Sequence, residues 1–305
     1  MSKSEETQKA RKQLPGGTLI RGIGSFYTVR TPEGETFTLR AKKKFRRQKM
    51  TPLVGDEVLF VPGEGEEDGW LEEILPRKTV CLRPPVANVS RMVLVLAPVP
   101  EADLLLADRL LCRAVAQGMS AVIAVNKTDL DASLPALLES QYAVSGVPVI
   151  PVCARTGEGL DRLREALRGE TCCMMGQSGA GKSTLLNGLL GLSLETGEIS
   201  PRIERGRNTT RHVELLTAGG LRIMDTAGFN LLEPEKELEP EKLKERYPEF
   251  HPYEGKCRFR ECLHDREPDC AVAEAVRKGA IHRERWERYR KLLAETRETW
   301  RNRYD

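Results

Sequence analysis

The stretch GQSGAGKST, Gly176–Thr184, decides the fold of this chain. It fits the pattern G-x-x-x-x-G-K-[ST] and directly follows the apolar segment TCCMM, the context of a phosphate-binding loop between a strand and a helix. We expect the backbone N–H groups of the loop to converge on phosphate oxygens, with Lys182 at the β- and γ-phosphates and the Ser183 hydroxyl on Mg²⁺. The alternative is a glycine turn that caps an ordinary helix. The residues predicted to contact phosphate are Gly176, Gln177, Ser178, Gly179, Ala180, Gly181, Lys182, Ser183 and Thr184.

A second motif, VNKTDL at Val125–Leu130, predicts which base the phosphates carry. The Asp129 carboxylate can accept hydrogen bonds from N1–H and the 2-amino group of guanine, whereas adenine has no N1–H to offer. Asn126 can bind the N7 and O6 edge, and Lys127 can lie along the ring. A site whose buried polar groups are left unpaired can reject the wrong ligand by roughly 10⁴–10⁵. The motif therefore favours GTP and GDP, although NKTD alone would also fit a helix entry capped by Asp129.

The turn VCARTGEG, Val152–Gly159, supports the choice of guanine, because Ala154 stands where a backbone N–H commonly meets guanine O6. By itself this turn would also suit an ordinary connection from a strand to a helix. The residues predicted to contact the base are Asn126, Lys127, Thr128, Asp129 and Ala154.

Two further segments follow the phosphate loop. DTAG, Asp225–Gly228, ends an apolar strand, where Asp225 would hold Mg²⁺ through water and the Gly228 N–H would sense the γ-phosphate. GRNTTR, Gly206–Arg211, precedes a hairpin, and we expect Thr210 rather than Thr209 to close over Mg²⁺ when the γ-phosphate is present. The predicted catalytic residues are Lys182, Ser183, Thr210, Asp225 and Gly228, and the predicted magnesium ligands are Ser183, Thr210 and Asp225.

These motifs occur in a rotated order, because the base motif precedes the phosphate loop by about fifty residues. Domain ends usually lie close together at the surface, so a chain can be circularly permuted without changing its sheet. The segments from Arg91 onward alternate between apolar strands and helices, a pattern that predicts a parallel-rich sheet with helices on both faces. We therefore expect a circularly permuted P-loop GTPase domain, whose ligand lies at the carboxyl ends of the strands.

The 305 residues are enough for several domains, and 40% hydrophobic with 30% charged residues indicates a globular protein rather than a disordered or fibrous one. Several short strands without helices precede the linker RPPVANV and predict a small closed barrel, an OB-fold. We expect a multidomain α/β protein, with a C-terminal helical zinc-binding module as its last part. The predicted division is a flexible tail at 1–14, an OB-fold RNA-binding domain at 15–82, the permuted GTPase domain at 83–235 and the zinc-binding domain at 236–305.

The net charge of +3 is small, but residues 1–50 carry thirteen Lys and Arg against four Asp and Glu. Most of this excess lies in RAKKKFRRQK, Arg40–Lys49, expected as a loop between barrel strands. Such a run can hold RNA phosphates, with Phe45 available to stack on a base, although a charge run is more often a solvated loop. The residues predicted to contact RNA are Lys42, Lys43, Lys44, Phe45, Arg46 and Arg47.

The segment CRFRECLHDREPDC spaces four metal-binding side chains as C-x4-C-x-H-x5-C. Three thiolates and one imidazole suit a closed tetrahedral Zn²⁺ site, which would supply folding energy to a short segment. A redox pair or four unconnected residues are the alternatives. The predicted ligands of one structural zinc ion are Cys257, Cys262, His264 and Cys270. In the C-terminal segment, Trp286, Tyr289 and Leu293 recur at near-helical spacing, which favours packing against this module over a partner site.

Taken together, NKTD, GQSGAGKST, GRNTTR, DTAGF and CRFRECLH make the chain resemble the RsgA family of circularly permuted GTPases. The resemblance implies a late assembly factor of the small ribosomal subunit, which contacts rRNA through its OB-fold and is released after ribosome-stimulated GTP hydrolysis. An RNA-binding checkpoint protein that uses GTP only as an affinity switch is the alternative, and an ATPase or a GTPase with membrane or tRNA partners is a third possibility.

One departure from the family pattern matters for the chemistry, namely Asn208 in place of a histidine. Asn can orient water but cannot take a proton near neutral pH. Phe229 stands where many GTPases place the glutamine that orients the attacking water, a replacement the family shares. We therefore expect slow intrinsic turnover that rises strongly with the small subunit.

The N-terminus is hydrophilic, and the longest apolar runs are too short to cross a bilayer. With eight cysteines and no secretory signal, we expect reduced thiols, a cytoplasmic location, no membrane partner and a monomer.

Overall fold

In a computed structural model of the chain, the described residues are 14–65, 67–82, 85–191, 213–226 and 236–304. They belong to two compact units. The first unit comprises the N-terminal part up to Ser90, the segment 169–173 and the hairpin near residue 220, and the second unit contains the phosphate loop and the C-terminal part.

The first unit is built on a five-stranded barrel, to which the described residues add the short helix α1 (Lys43–Arg47). Its strands are β1 (Gly16–Ile23), β2 (Phe26–Arg30), β3 (Thr36–Ala41), β4 (Glu57–Val61) and β5 (Gly69–Ile74). They pair in the order β1-β2-β3-β5-β4, and β4 pairs back with β1 to close the barrel. Only the β3–β5 pair among these is parallel. This closed arrangement, with a helix between β3 and β4, confirms the predicted OB-fold.

Alternation along the strands fills the barrel, since every second side chain points inward. Leu19, Leu39 and Phe60 are fully buried there. The expected loop at Arg40–Lys49 is wrong in part, because the chain forms α1 at its centre. The helix turns Phe45 into the barrel core, where it packs with Leu19 and Leu39.

The first unit contains two further pairs of strands. β6 (Val80–Leu82) and β7 (Pro85–Ala87) form a separate two-stranded sheet, and β12 (Val213–Ala218) and β13 (Leu221–Thr226) extend from β1. β12 and β13 form the predicted hairpin, and β12 pairs with β1 at Glu214 and Arg21. β13 also lies parallel to the beginning of β11 (Thr171–Met175), with Cys173 opposite Met224.

The second unit has three parallel strands in the order β10-β9-β8. They are β8 (Arg91–Leu96), β9 (Ser120–Val125) and β10 (Val149–Pro151), and the helices are α2 (Leu104–Ala116), α3 (Ser133–Tyr142), α4 (Leu160–Leu167) and α5 (Lys182–Leu190). Since β8 and β9 are buried along most of their length, they read as continuous apolar runs, as parallel strands do. The predicted alternation of strands and helices is confirmed.

The described residues from 236 onward form three short 3₁₀ turns and two helices, α6 (Ala271–Arg277) and α7 (Arg283–Arg301). Tyr289 and Leu293 of α7 are fully buried, and Trp286 packs beside them, so the expected packing role of this stripe is confirmed. Among the residues described, no helix is both long enough and apolar enough to cross a membrane.

Candidate functional site

The phosphate loop runs from the end of β11 to α5, and its glycines are required by close backbone contacts. Gly176 has a φ of +138°, and a Cβ there would lie 2.2 Å from the Val95 carbonyl oxygen. Gly181 has a φ of +88°, and a Cβ there would lie 2.3 Å from Asn126 Nδ2. A side chain at either position would therefore push the loop away from β8 or from the base motif.

Lys182, the first residue of α5, points back into this loop. Its Nζ donates to the carbonyl oxygens of Gly176 and Gln177, each at 2.8 Å. Burial lowers the pKa of the Lys182 amine. Because the partners of the ammonium among the described residues are carbonyl dipoles, an incoming phosphate would offer it a full opposite charge. The Ser183 residue, next along α5, is exposed.

Asn126 joins three motifs that are distant in the sequence. Its side chain is 2% exposed. Its Nδ2 donates to the Ala180 carbonyl oxygen of the phosphate loop at 3.0 Å, and its Oδ1 accepts from the Ala154 N–H at 3.0 Å. These groups bind protein atoms here, and the expected contacts of Asn126 with the base edge and of the Ala154 N–H with guanine O6 stay predictions. Asn126 links the base motif, the following turn and the phosphate loop.

Lys127 also connects the base motif with the phosphate loop. Its Nζ donates to the carbonyl oxygens of Val99 at 2.6 Å and Gly179 at 2.7 Å. The ammonium is therefore anchored on backbone dipoles beside the loop. Thr128 lies in the same motif, and its hydroxyl donates to the Val152 carbonyl oxygen at 3.2 Å.

Asp129 is ionised and held by two neighbours. The Cys153 thiol lies 3.1 Å from Oδ1, and Arg155 Nη2 donates to Oδ2 at 2.8 Å. The Cys153 thiol, followed by Arg155, holds the pKa of Asp129 below its ordinary value. The Arg155 side chain is 77% exposed, and an exposed pair of this kind contributes about 0–1 kcal/mol. A guanine base that donates two hydrogen bonds can replace such a partner.

The alternative role of Asp129 as a helix cap is wrong. α3 begins at Ser133, and its N–H donates to Asp131 Oδ1 at 2.7 Å. Asp131 therefore fixes the start of this helix, which leaves Asp129 directed towards Cys153 and Arg155.

Sequence reasoning missed the segment after β8 that supports the phosphate loop. Gln177 Nε2 donates to the Glu101 carbonyl oxygen, and Gln177 Oε1 accepts from the Asp103 N–H, both at 2.8 Å. Asp103 in turn caps α2 by accepting from the Leu106 N–H at 2.9 Å. The available signal was position alone, since this segment follows the carboxyl end of a buried parallel strand.

The remaining predicted GTPase residues are only partly within the described chain. Asp225 lies near the end of β13 in the first unit and is exposed. The predicted contacts of Thr210 and Gly228, the choice between Thr209 and Thr210, and the positions of Asn208 and Phe229 lie outside the described residues.

The four predicted metal ligands come together in the C-terminal part. The ligand atoms of Cys257, Cys262, His264 and Cys270 all lie within 4.8 Å of one another. His264 Nδ1 is 3.6 Å from the sulfur of Cys257 and 3.4 Å from that of Cys270. A tetrahedral ion with bonds of about 2.0–2.3 Å separates its ligand atoms by about 3.3–3.8 Å, so the cluster fits a metal ion of that size.

The surroundings of this cluster favour a bound cation. Burial raises the pKa of the Cys270 thiol and lowers the pKa of His264 to about 4, so a neutral imidazole is available as a ligand. The N–H groups of Ala271 and Ala273 point at the sulfurs of Cys257 and Cys270, at 3.3 and 3.4 Å. Such N–H contacts stabilise thiolates, and a positive ion would offset their mutual repulsion.

Two further side chains fix the turn that carries His264. The Glu267 carboxylate accepts from the N–H groups of Leu263 and Asp265, both at 2.8 Å, and Trp286 Nε1 donates to the His264 carbonyl oxygen at 2.7 Å. Although burial opposes it, these backbone hydrogen bonds keep the pKa of Glu267 below its usual range. The remaining five cysteines are buried, as expected for small core residues.

In the basic segment of the barrel, the structure contradicts the expected role of Phe45 as a stacking group. This ring is only 4% exposed and belongs to the barrel core, so it is not open to stack on a base. Lys42 and Lys44 pair with the Glu72 carboxylate. Lys43, Arg46 and Arg47 are exposed and have no ion-pair partner among the described residues, which leaves their charges available.

The fold and site define a class of protein. A phosphate loop, a guanine-type base motif linked to it by Asn126, and the reversed order of the two are the features of a circularly permuted GTP-binding protein. Comparison with known proteins agrees with this class. Residues 16–71 match the RsgA N-terminal domain family, and residues 74–235 match the RsgA GTPase family.

The chain is also similar along most of its length to proteins named small ribosomal subunit biogenesis GTPase RsgA. It is 42% identical to the protein of that name from Geobacillus thermodenitrificans over 288 residues, 92% of this chain and 97% of the relative. It is 42% identical to the one from Moorella thermoacetica over 284 residues, with 92% and 96% covered.

Two solved structures have the same fold. YjeQ from Thermotoga maritima matches with a TM-score of 0.79 and 34% identity, covering 92% of this chain and 98% of that one. YloQ, described as a circularly permuted GTPase, matches with a TM-score of 0.78 and 32% identity, covering 94% and 96%. The chain belongs to the RsgA GTPase family, and the predicted resemblance and GTP-hydrolysing activity are confirmed.

Proposed function

We propose that this chain hydrolyses GTP as a late assembly factor of the small ribosomal subunit, and that hydrolysis releases it from the nearly mature subunit. The names of its relatives support the choice of process. The observation that carries the nucleotide part is the Asn126 side chain, which links Ala180 of the phosphate loop to Ala154 of the base turn. The link supports one nucleotide bound by both motifs, despite their reversed order.

In this proposal the loop 176–184 binds the phosphates and Asp129 binds the guanine base. Lys182 leaves the carbonyl oxygens of Gly176 and Gln177 to pair with the β- and γ-phosphates, which attract it more strongly than neutral dipoles. Asp129 exchanges Arg155 for guanine N1–H and the 2-amino group. Asn126 and Lys127 hold the two motifs at the spacing that a nucleoside triphosphate needs.

The proposed magnesium ligands are Ser183 and Thr210, with Asp225 acting through water. When bound, Mg²⁺ would neutralise charge that develops on the β- and γ-phosphate oxygens during hydrolysis. Gly228 would bind the γ-phosphate through its N–H. Because Phe229 cannot orient water, we expect the chain alone to turn over slowly and the small subunit to complete the reaction site.

The Cys257, Cys262, His264 and Cys270 cluster is proposed to hold one structural Zn²⁺. Three sulfurs and one nitrogen within 4.8 Å of one another favour zinc over hard cations such as Mg²⁺ or Ca²⁺. All four positions would be filled by protein, so the ion would stabilise the C-terminal module rather than catalyse.

The barrel is proposed to bind rRNA, with the exposed cations of α1 holding phosphates. We retain the division into a tail at 1–14, a barrel domain at 15–82, a GTPase domain at 83–235 and a zinc module at 236–305 as part of the proposal. A cytoplasmic location and a monomeric state also stay predictions.

Single-turnover GTP hydrolysis, measured with and without purified small ribosomal subunits, tests this function. The rate should rise strongly with small subunits and stay at its basal value with large subunits. Equal rates in all three conditions would contradict the proposal. Tight, GTP-dependent binding to the small subunit without faster hydrolysis would instead support a checkpoint protein that uses GTP as an affinity switch.

A further inference from the structure

One side of the barrel surface carries a continuous row of large exposed side chains. Five residues on five adjacent strands lie opposite one another in register, Ile23 with Phe26, Phe26 with Arg40, Arg40 with Trp70, and Trp70 with Val61. We call this set, Ile23, Phe26, Arg40, Val61 and Trp70, the outer row. It crosses every strand of the barrel.

The outer row faces solvent because its strand neighbours fill the core. Leu39, Phe60 and Leu71 are fully buried, and side chains next to them in a strand point the other way. Phe26 is 43% exposed and Trp70 is 46% exposed. Single exposed apolar residues are common, but a contiguous group of them marks a binding surface.

Arg40 lies between the two aromatic residues in the row. Its Cζ is 4.8 Å from the centre of the Phe26 ring, and its Nε donates to Asp68 Oδ2 at 2.9 Å. Asp68 and the ring together hold the guanidinium in place. Since strands lie about 4.8 Å apart, Phe26 and Trp70 are about 10 Å from each other, with a planar cation between them.

Positive charge lies close to the row in the chain. α1 begins at Lys43, three residues after Arg40, so their Cα atoms are at most about 11 Å apart. The exposed Lys43, Arg46 and Arg47 have no ion-pair partner in the described part of the chain. A surface with stacking groups in a row and cations at one side complements a nucleotide strand, whose bases are flat and whose backbone is negative.

We propose that the outer row stacks unpaired bases of RNA, with Phe26 and Trp70 as the stacking rings and Arg40 as a planar cation between them. This inference rests on the proposed function for the source of the RNA, and it replaces the buried Phe45 as the stacking group. Unpaired bases are required because a duplex hides its base faces within the helix. The ligand class is therefore single-stranded or looped RNA.

The test uses the full-length protein and a fluorescently labelled single-stranded RNA of twelve nucleotides, with binding measured by fluorescence anisotropy. Phe26→Ala and Trp70→Ala should each raise the Kd roughly 5- to 150-fold, the range reported for loss of a base-stacking ring. Trp70→Phe should restore most of the affinity, because it keeps a ring. Tyr304→Ala removes an aromatic ring outside the barrel that is more exposed than Phe26 or Trp70, and it should leave the Kd unchanged.

Two further measurements separate stacking from other causes. The same RNA annealed to its complement should bind the wild type and the alanine variants equally. The slope of log Kd against log salt should also be the same for wild type and Trp70→Ala, since no charge is lost. Wild-type affinity of both alanine variants for the single strand, or an equal loss for the duplex, would overturn the proposal.

Co-sedimentation with purified small subunits tests whether the outer row contacts a protein rather than RNA. If the alanine variants bind free RNA normally but no longer bind the subunit, the row contacts a protein and the RNA proposal is wrong. The proposed function fails separately, when the wild-type chain hydrolyses GTP no faster with subunits than without them. Phe26 and Trp70 are exposed, so thermal melting should show both variants folded.

Discussion

Asp129 shows how a single residue selects the nucleotide. Its carboxylate lies among the Cys153 thiol and the Arg155 guanidinium, and these partners keep it ionised. An ionised carboxylate accepts hydrogen bonds and offers none, which matches the two donors on the edge of guanine. The choice of base therefore depends on which groups donate and which accept hydrogen bonds at this position, rather than on the shape of the pocket.

Asp129→Asn should shift the nucleotide preference from GTP towards xanthosine triphosphate. The new amide offers an N–H to the 2-oxo group of xanthine and loses the charge that binds the guanine donors. Hydrogen bonds to charged groups contribute about 1.5–3 kcal/mol each, so we expect GTP affinity to fall roughly 100-fold while xanthosine triphosphate binds better. Competition binding with both nucleotides measures this.

Asp131→Asn is the matched control for this substitution. It makes the same chemical change two residues away, where the carboxylate accepts from Ser133 at the start of α3. GTP should remain the preferred nucleotide of this variant. Retained GTP preference in Asp129→Asn itself would show that another residue reads the base.

At the scale of elements, buried ion pairs join α7 to α2. Asp108 of α2 binds both Arg285 and Arg288 of α7, and Arg285 Nε also donates to Glu249 Oε1 at 2.7 Å. All four groups are nearly fully buried, with two positive and two negative charges. Buried pairs of this kind are costly to break, because the remaining charge has neither water nor a partner.

Arg285→Met should therefore destabilise the second unit by about 3–5 kcal/mol. It leaves Glu249 without a cation and Asp108 with only one. Arg109→Met provides the matched control, since Arg109 joins the same two helices by an exposed pair with Glu295, for which about 0–1 kcal/mol is expected. Chemical denaturation measures both, and similar losses for the two variants would contradict the role of burial.

The Cys/His turns form the second element-scale contact with α7. Trp286 of this helix donates to the His264 carbonyl oxygen, so loss of a bound ion should alter its fluorescence. We expect one zinc per chain by elemental analysis. Cys262→Ser should lower this content well below one and reduce the melting temperature, because metal binding contributes folding free energy.

Cys112→Ala is the control for the zinc prediction. Cys112 lies in the same apolar cluster as Cys262 but does not belong to the ligand set. This variant should lose some packing energy and keep its zinc. If Cys262→Ser still contained one zinc ion per chain, other residues would hold the ion.

The elements themselves were largely predictable, and the exceptions have clear physical causes. Buried parallel strands and the phosphate loop carry local patterns, so β8, β9 and α5 could be identified from short segments. Phe45 could not, because a five-residue helix has too few positions to show which face is buried. The outer row could not be predicted either, since it depends on strand register, including the parallel β3–β5 pairing of Arg40 with Trp70, thirty residues apart.

At the scale of the whole molecule, long-range contacts decide what the motifs do. The link from Asn126 to Ala180 spans 54 residues, and no local pattern indicates it. The motifs predicted that a nucleotide binds, whereas the structure shows which polar groups are used by the protein itself. The same distinction applies to the barrel, where composition indicated RNA binding and packing decided which side chains are exposed.

RNA binding is assigned to the first unit and the phosphate loop and base motif to the second. We therefore expect that a variant can lose one of the two binding properties without the other. The triple variant Lys43→Glu, Arg46→Glu, Arg47→Glu changes only α1, which belongs to the first unit. It should weaken binding to the small subunit and reduce the slope of log K against log salt by about 2–3, since each lost phosphate contact removes about 0.7–0.9. Affinity for GTP should be unchanged, because the phosphate loop and base motif belong to the second unit.

The converse variant, Lys182→Ala, should lose GTP affinity while its binding to free RNA keeps the wild-type salt dependence. Arg162→Glu on the exposed side of α4 is a charge-reversal control, and it should alter neither property. Filter binding at several salt concentrations and nucleotide titration measure the two properties on the same preparations. If reversing the α1 charges lowered GTP affinity as much as RNA affinity, the variant would have damaged folding, and the assignment of phosphate contacts to α1 would lose its support.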